Sequence, residues 1–129
     1  MINLTSTSDL IRVTTSAASQ IEVHASYVDF NGTAVTPGRT NTPYITTATT
    51  TTVVHSPGSG VQRNIKHLNI TNDHASVACV ITVEHTDGTT AEELISVTLL
   101  SGENMVLGED GRWTHYDANG AVYPPAGKG

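Results

Sequence analysis

The sequence predicts an all-β protein, an antiparallel β-sandwich, jelly-roll-like fold or small barrel of about seven to nine short strands with loose termini. Three observations carry that expectation. Thr, Val and Ile together supply 42 of the 129 residues, and Thr alone accounts for 21. Such β-branched side chains lose χ1 freedom in helices and pack well on a pleated surface. Apolar residues recur at every second position in several segments, the period of a half-buried strand. Turn signals built on Gly, Pro, Asn and Asp punctuate the chain about every eight to twelve residues.

Taken in order, Leu10 to Thr14 reads as a short first strand. In Gln20 to Val28, Ile21, Val23, Ala25 and Tyr27 share one face, and Gln20, Glu22, His24 and Ser26 share the other. Asn31-Gly32 supplies a hairpin turn, because both residues tolerate positive φ. Thr33 to Thr36 pairs back, Pro37-Gly38 ends that strand, and Arg39 to Pro43 is a polar connection. Tyr44 to His55 (YITTATTTTVVH) reads as one long, almost uncharged strand whose two faces both mix methyl and hydroxyl groups. Its register is weakly specified, and left bare it invites pairing with another chain. Tyr44, Ile45, Thr47, Thr49, Thr51 and Val53 are therefore the expected inter-subunit contacts.

Ser56 to Gly60 is a loop, and a meander follows it. Val61 to Thr71 is one strand, and Val77 to His85 is the next, with Val77, Cys79, Ile81 and Val83 inward. Glu92 to Leu100 puts Glu93, Ile95, Val97 and Leu99 on one face. Met105 to Leu107 and Arg112 to Asp117 close the series. The organisation is a polar, flexible N-terminal arm at 1–9, a single β domain at 10–123 and a loose tail at 124–129, with looseness setting in from Ala121.

Composition excludes several function classes. Charged residues are 14%, against about 25% in ordinary soluble domains. The formal net charge is -6 with only six Lys and Arg, so there is no electrostatic footprint for nucleic acid. No apolar run approaches the ~18 residues of a membrane helix, so no membrane partner is expected. The start, MINLTSTSD, has neither the basic nor the apolar region of a signal peptide, so synthesis in a reducing cytoplasm is expected. One cysteine, Cys79, cannot form an internal disulfide, and its place in an apolar strand reads as an inert core thiol. The Asn-x-Thr triplets at Asn3, Asn31 and Asn69 arise readily in a Thr-rich chain.

The chemistry-bearing residues form no recognisable constellation. Six histidines (His24, His55, His67, His74, His85 and His115) invite a metal site, but none of the His-x-His, His-x-x-His or Cys-x-x-Cys spacings occurs. His67, His74 and His85 lie near strand ends, where only the fold decides whether they converge. Glu92 and Glu93 point to opposite faces of a strand and make no acid/base pair. No nucleophile elbow or phosphate-cradling loop is present. Trp113 and Tyr116, an odd number of residues apart, point to opposite faces; Trp113 reads as a core anchor. A carbohydrate-binding or adhesin-like module would use Tyr44, Trp113 or Tyr116 as its stacking platform. The reading is of a protein with no catalytic, cofactor-binding or metal-binding residues.

Several stretches resemble a family of small tailed-bacteriophage structural proteins. They are Thr36-Pro37-Gly38-Arg39-Thr40-Asn41-Thr42, Thr46 to Val54, Arg63 to Leu68 with Asn72 to Ser76, and His85 to Thr90. Glu93-Leu94, Val97 to Leu99, Gly102-Glu103 and Asp110-Gly111-Arg112-Trp113 continue the likeness, which spans most of residues 5–123. It is a similarity of order and wording and transfers no functional residue. It implies a non-enzymatic virion protein, foremost a homotrimeric capsid decoration or cement protein that bridges subunits and binds the major capsid protein or other virion proteins. A tail, neck or fibre component is the alternative it implies.

Overall fold

A computed structural model describes residues 1–123. The expected loose tail at 124–129 lies outside the described residues. Ten strands are formed: β1 (Ile2–Leu4), β2 (Leu10–Thr15), β3 (Ile21–Phe30), β4 (Val35–Ile45), β5 (Thr50–Val54), β6 (Gln62–Asn72), β7 (Cys79–Thr86), β8 (Ala91–Leu99), β9 (Asn104–Leu107) and β10 (Trp113–Tyr116). They make two antiparallel sheets packed face to face, a sandwich that does not close into a barrel. The first sheet runs β10-β9-β6-β3-β4, and β1 also pairs with β6. The second runs β5-β2-β7-β8. No helix among the described residues is long and apolar enough to cross a membrane.

The core lies between the sheets, where the alternating residues meet. Ile21, Val23 and Ala25 of β3 face Ile11 and Val13 of β2 and Ile81 and Val83 of β7, all at most 3% exposed. Cys79 is buried among them. On β8 the inward set is Ile95, Val97 and Leu99, while Glu93 is exposed. A bulge at Val83/Glu84 breaks the alternation before it reaches Glu93. Trp113 packs against the edge of the core, as its size predicts. Gly32 holds φ at 93° in the β3–β4 turn, while Asn31 keeps a negative φ and closes the turn through its Oδ1, which accepts from the Thr33 and Ala34 N–H groups.

Four expectations are corrected. The first concerns the N-terminal arm. Residues 2–4 form β1, which pairs with β6 at Ile2↔Ile65, Asn3↔Asn64 and Leu4↔Arg63. Leu4 is fully buried. β1 and β9 lie end to end along the same side of β6, β9 covering Leu68 to Thr71. The following turn is closed by Asp9, whose carboxylate accepts from the Thr5 backbone N–H at 2.7 Å. That hydrogen bond, opposed by burial, holds the Asp9 pKa below its ordinary value. Leu4→Ala is expected to cost about 2 kcal/mol, the low end for a core leucine because a terminal strand relaxes easily. Urea denaturation of the two proteins checks it.

The second correction concerns Pro37-Gly38 and residues 39–43, which lie inside β4 rather than ending it. β4 is an edge strand paired only with β3, so missing proline N–H groups at Pro37 and Pro43 are tolerated on its free side. Gly38 serves close approach. A Cβ there would sit 2.6 Å from the Tyr27 ring. The Arg63 guanidinium carbon lies 4.1 Å from the centroid of that ring. Arg63 is held by two hydrogen bonds to Asp29, at 2.9 and 3.0 Å, and by the His55 carbonyl at 2.8 Å. Tyr27, Arg63 and Asp29 together cap one end of the core.

The third correction divides the Thr-rich segment. Tyr44 and Ile45 end β4 in the first sheet, Thr46 to Thr49 cross over, and β5 begins the second sheet at Thr50. Thr15 pins the crossing: its hydroxyl donates to the Thr47 carbonyl at 2.7 Å and accepts from the Thr49 N–H at 3.1 Å. Fourth, Ala121 to Tyr123 are fixed. Val122 bridges to Tyr116, and the Tyr123 N–H donates to the His115 carbonyl at 3.0 Å.

Candidate functional site

The expected contact residues do not share one surface. Ile45 and Val53 are buried in this chain's own core, at 6% and 1% exposure. Thr51 pairs with Val13 and is half-buried. Thr47 and Thr49 lie exposed in the crossover, and Tyr44 is 48% exposed on the first sheet. The segment does supply an outward surface, in the opposite phase. Thr50 and Thr52 stand opposite Thr14 and Arg12 on the outer face of the second sheet.

That outer face is a field of hydroxyls. Thr14 and Thr50 hydrogen-bond through their side chains at 2.9 Å, and Thr82 and Ser96 do so at 3.2 Å. Thr98 pairs with the exposed Val80. One ion pair joins Arg12 to Glu84 at 3.0 Å, and the exposed Glu93 stands opposite Glu84 on the same face. Neutral hydroxyls already paired with one another shed their water at less cost than charges do.

The outer face of the first sheet is different. A row of Asn41, His24 and Asn69 crosses β4, β3 and β6 in register. His24 Nδ1 lies 2.6 Å from Asn41 Oδ1, and Asn104 Nδ2 donates to Asn69 Oδ1 at 3.1 Å. Together with Glu22, Val23 and Thr42 these residues line a depression of about 350 Å³. The bulge between Ile21 and Val23 sets Glu22 opposite Pro43 and Tyr44. The Tyr44 hydroxyl donates to Asp73 Oδ2. That hydrogen bond, then the charges of Asp73 and Glu22, hold the phenol pKa above its ordinary value.

A third cluster surrounds Glu103 in the β8–β9 turn, which is 3% exposed. Its Oε1 accepts from the Leu100 N–H and from His115 Nε2, both at 3.0 Å, and its Oε2 accepts from the Tyr123 hydroxyl. The His115 and Tyr123 rings stack with centroids 4.1 Å apart. The group ties the last described residues to the sandwich, and its donors are consumed internally.

The histidines are dispersed. His67 lies in β6 of the first sheet, His85 in β7 of the second, and His74 in the turn between them. His74 Nδ1 accepts the Ser76 and Val77 N–H groups, both at 3.0 Å. Among the described residues no three His, Cys, Asp or Glu side chains are grouped to hold a metal ion. Sequence reasoning named Tyr44 but missed Asn41, Asn69, Glu103 and Tyr123 as members of side-chain clusters; no local spacing joins them, because each partner comes from another strand. Comparison with protein-family models, curated proteins and solved structures gives no match.

Proposed function

We propose that this chain is a non-enzymatic bacteriophage virion structural protein, a capsid decoration or cement protein that acts as a homotrimer on the major capsid protein. The observation that carries the reading is the outer face of the second sheet, rich in Thr and Ser, with its charges, the Arg12–Glu84 pair and Glu93, gathered toward one end. Such a face packs against a neighbour by many small contacts without a large desolvation penalty. It joins the likeness of wording to small phage structural proteins over residues 5–123. The strand β8 continues the face to an open sheet edge, where a neighbour's strand can add through main-chain hydrogen bonds. Closed symmetry repeats each weak contact, and every contact pair is expected to bury at least about 1,000 Å².

The test is made on purified particles that carry the chain. Decoration requires a copy number close to that of the major capsid protein and earlier loss of packaged DNA on heating when the chain is absent. A dozen or so copies at one vertex would assign the chain to the tail or neck instead. Replacing Thr50 and Thr82 together by Lys places charge on the docking face, and is expected to abolish particle binding while the isolated domain stays folded.

A further inference from the structure

The depression on the first sheet plays no part in that docking face, and its chemistry points elsewhere. Asn41 and Asn69 commit their Oδ1 atoms to His24 and Asn104, which leaves both Nδ2 groups free to donate. With Nδ1 donating to Asn41, the His24 Nε2 is an acceptor. Glu22 is exposed and forms no salt bridge among the described residues, so its carboxylate is a further acceptor. Donors and acceptors thus alternate around one hollow.

At the Glu22 end the carboxylates of Glu22 and Asp73 disfavour an anion, while Arg39 stands on the same face two residues from Asn41. A bare cation lacks a grouped ligand set among the described residues. A ligand bearing hydroxyls, each both donor and acceptor, satisfies the whole set. Across the bulge from Glu22 stands Tyr44, an exposed ring whose hydroxyl donates to Asp73. An aromatic face near a polar hollow suits a ring with one apolar C–H side and polar edges. The volume, about 350 Å³, lies at the lower end of small-ligand pockets and accommodates one or two such rings.

We infer that the depression lined by Glu22, His24, Asn41, Thr42 and Asn69, with Tyr44 as its stacking platform, is a binding site for a neutral saccharide. The site is independent of the virion role and stands or falls on its own geometry. A chain fixed on a particle through the second sheet would present it outward, from the opposite face of the sandwich.

The experiment is saturation-transfer NMR on the whole chain with glucose, galactose, mannose, N-acetylglucosamine, cellobiose, lactose and chitobiose. Glucuronate and inorganic phosphate serve as anionic probes. At least one neutral sugar is expected to bind saturably with a dissociation constant on the order of 1 mM. Tyr44→Ala and Asn69→Ala are each expected to weaken it by about tenfold or more, while Tyr44→Phe stays within about threefold. Thr82→Ala, on the other sheet, is the control and is expected to change nothing. Thermal melts confirm that each variant is folded. Absence of saturable binding by every neutral sugar up to roughly 50 mM overturns the site. So does binding that survives both alanine variants, and so does a preference for glucuronate or phosphate.

Discussion

Asn72→Ala is expected to destabilise the domain by about 4 kcal/mol, more than most single surface or turn substitutions. Asn72 ends β6 and is completely buried. All four hydrogen-bonding positions of its amide are used. Oδ1 accepts from Ser19 Oγ at 2.9 Å and from the His74 N–H at 3.0 Å. Nδ2 donates to the Val77 carbonyl at 2.8 Å and to the Leu99 carbonyl at 2.9 Å. The partners belong to the β2–β3 crossover, the β6–β7 connection and β8, so one side chain joins both sheets.

Truncation strips the Leu99 carbonyl and the His74 N–H of this partner, each loss costing about 1–3 kcal/mol if no water replaces it, while Ser19 Oγ and the Val77 carbonyl keep their own bond at 3.0 Å. The sum is discounted because the methyl-sized space left by the amide admits some water. In a domain of this size the loss lowers the melting temperature by about 15 °C. Asn72→Asp keeps the shape but turns a donor into an acceptor facing two carbonyls, and is expected to be at least as damaging at neutral pH. Urea denaturation of the three proteins measures both. A loss under about 1 kcal/mol for the alanine variant would show that water replaces the amide fully.

Asn72 also marks where the sequence stops being informative. As part of Asn72-Asp73-His74 it carries the signature of a turn, and a turn does begin there. Nothing local says that its side chain points inward, because its four partners come from residues 19, 74, 77 and 99. The strands that were legible, β2, β3, β6, β7 and most of β8, each have one buried and one wet face, so period two is written into them. β4 was misread because proline and glycine oppose a central strand but not an edge, and the edge position of β4 is a tertiary fact. The Thr-rich stretch was misread as one strand because Thr fits both faces and hides the crossover. β1 is three residues long, too short for alternation to register, and its single buried anchor is Leu4. The saccharide hollow was invisible for the same reason as the Asn72 bolt: Asn41, His24 and Asn69 become neighbours only when β4, β3 and β6 align.

Acid is expected to destabilise this domain through Glu103. Burial, the largest single influence on this group, would raise its pKa. The Tyr123 hydroxyl, the Leu100 N–H and His115 together outweigh burial, so the carboxyl titrates below its ordinary value of 4.5. A group depressed in the folded state contributes stability that is fully present above its unfolded pKa. That contribution drains away as pH falls through the folded value. The window therefore opens near pH 4.5 and extends downward, and Asp9 adds a contribution of the same sign. Glu103→Gln keeps the volume but removes the charge that its donors prefer. At pH 7 it is expected to cost about 2–3 kcal/mol, in line with a hydrogen bond to a buried ion. The difference from the parent protein then narrows by up to about 1.4 kcal/mol per pH unit below the window's upper edge, the slope of one proton. Urea midpoints at half-unit steps from pH 7 to pH 3 follow it. Converging curves identify Glu103 as the acid-sensitive fastening of residues 113–123, whereas parallel curves would move that sensitivity to Asp9 or Asp87, whose carboxyls are also held below their ordinary values by hydrogen bonds.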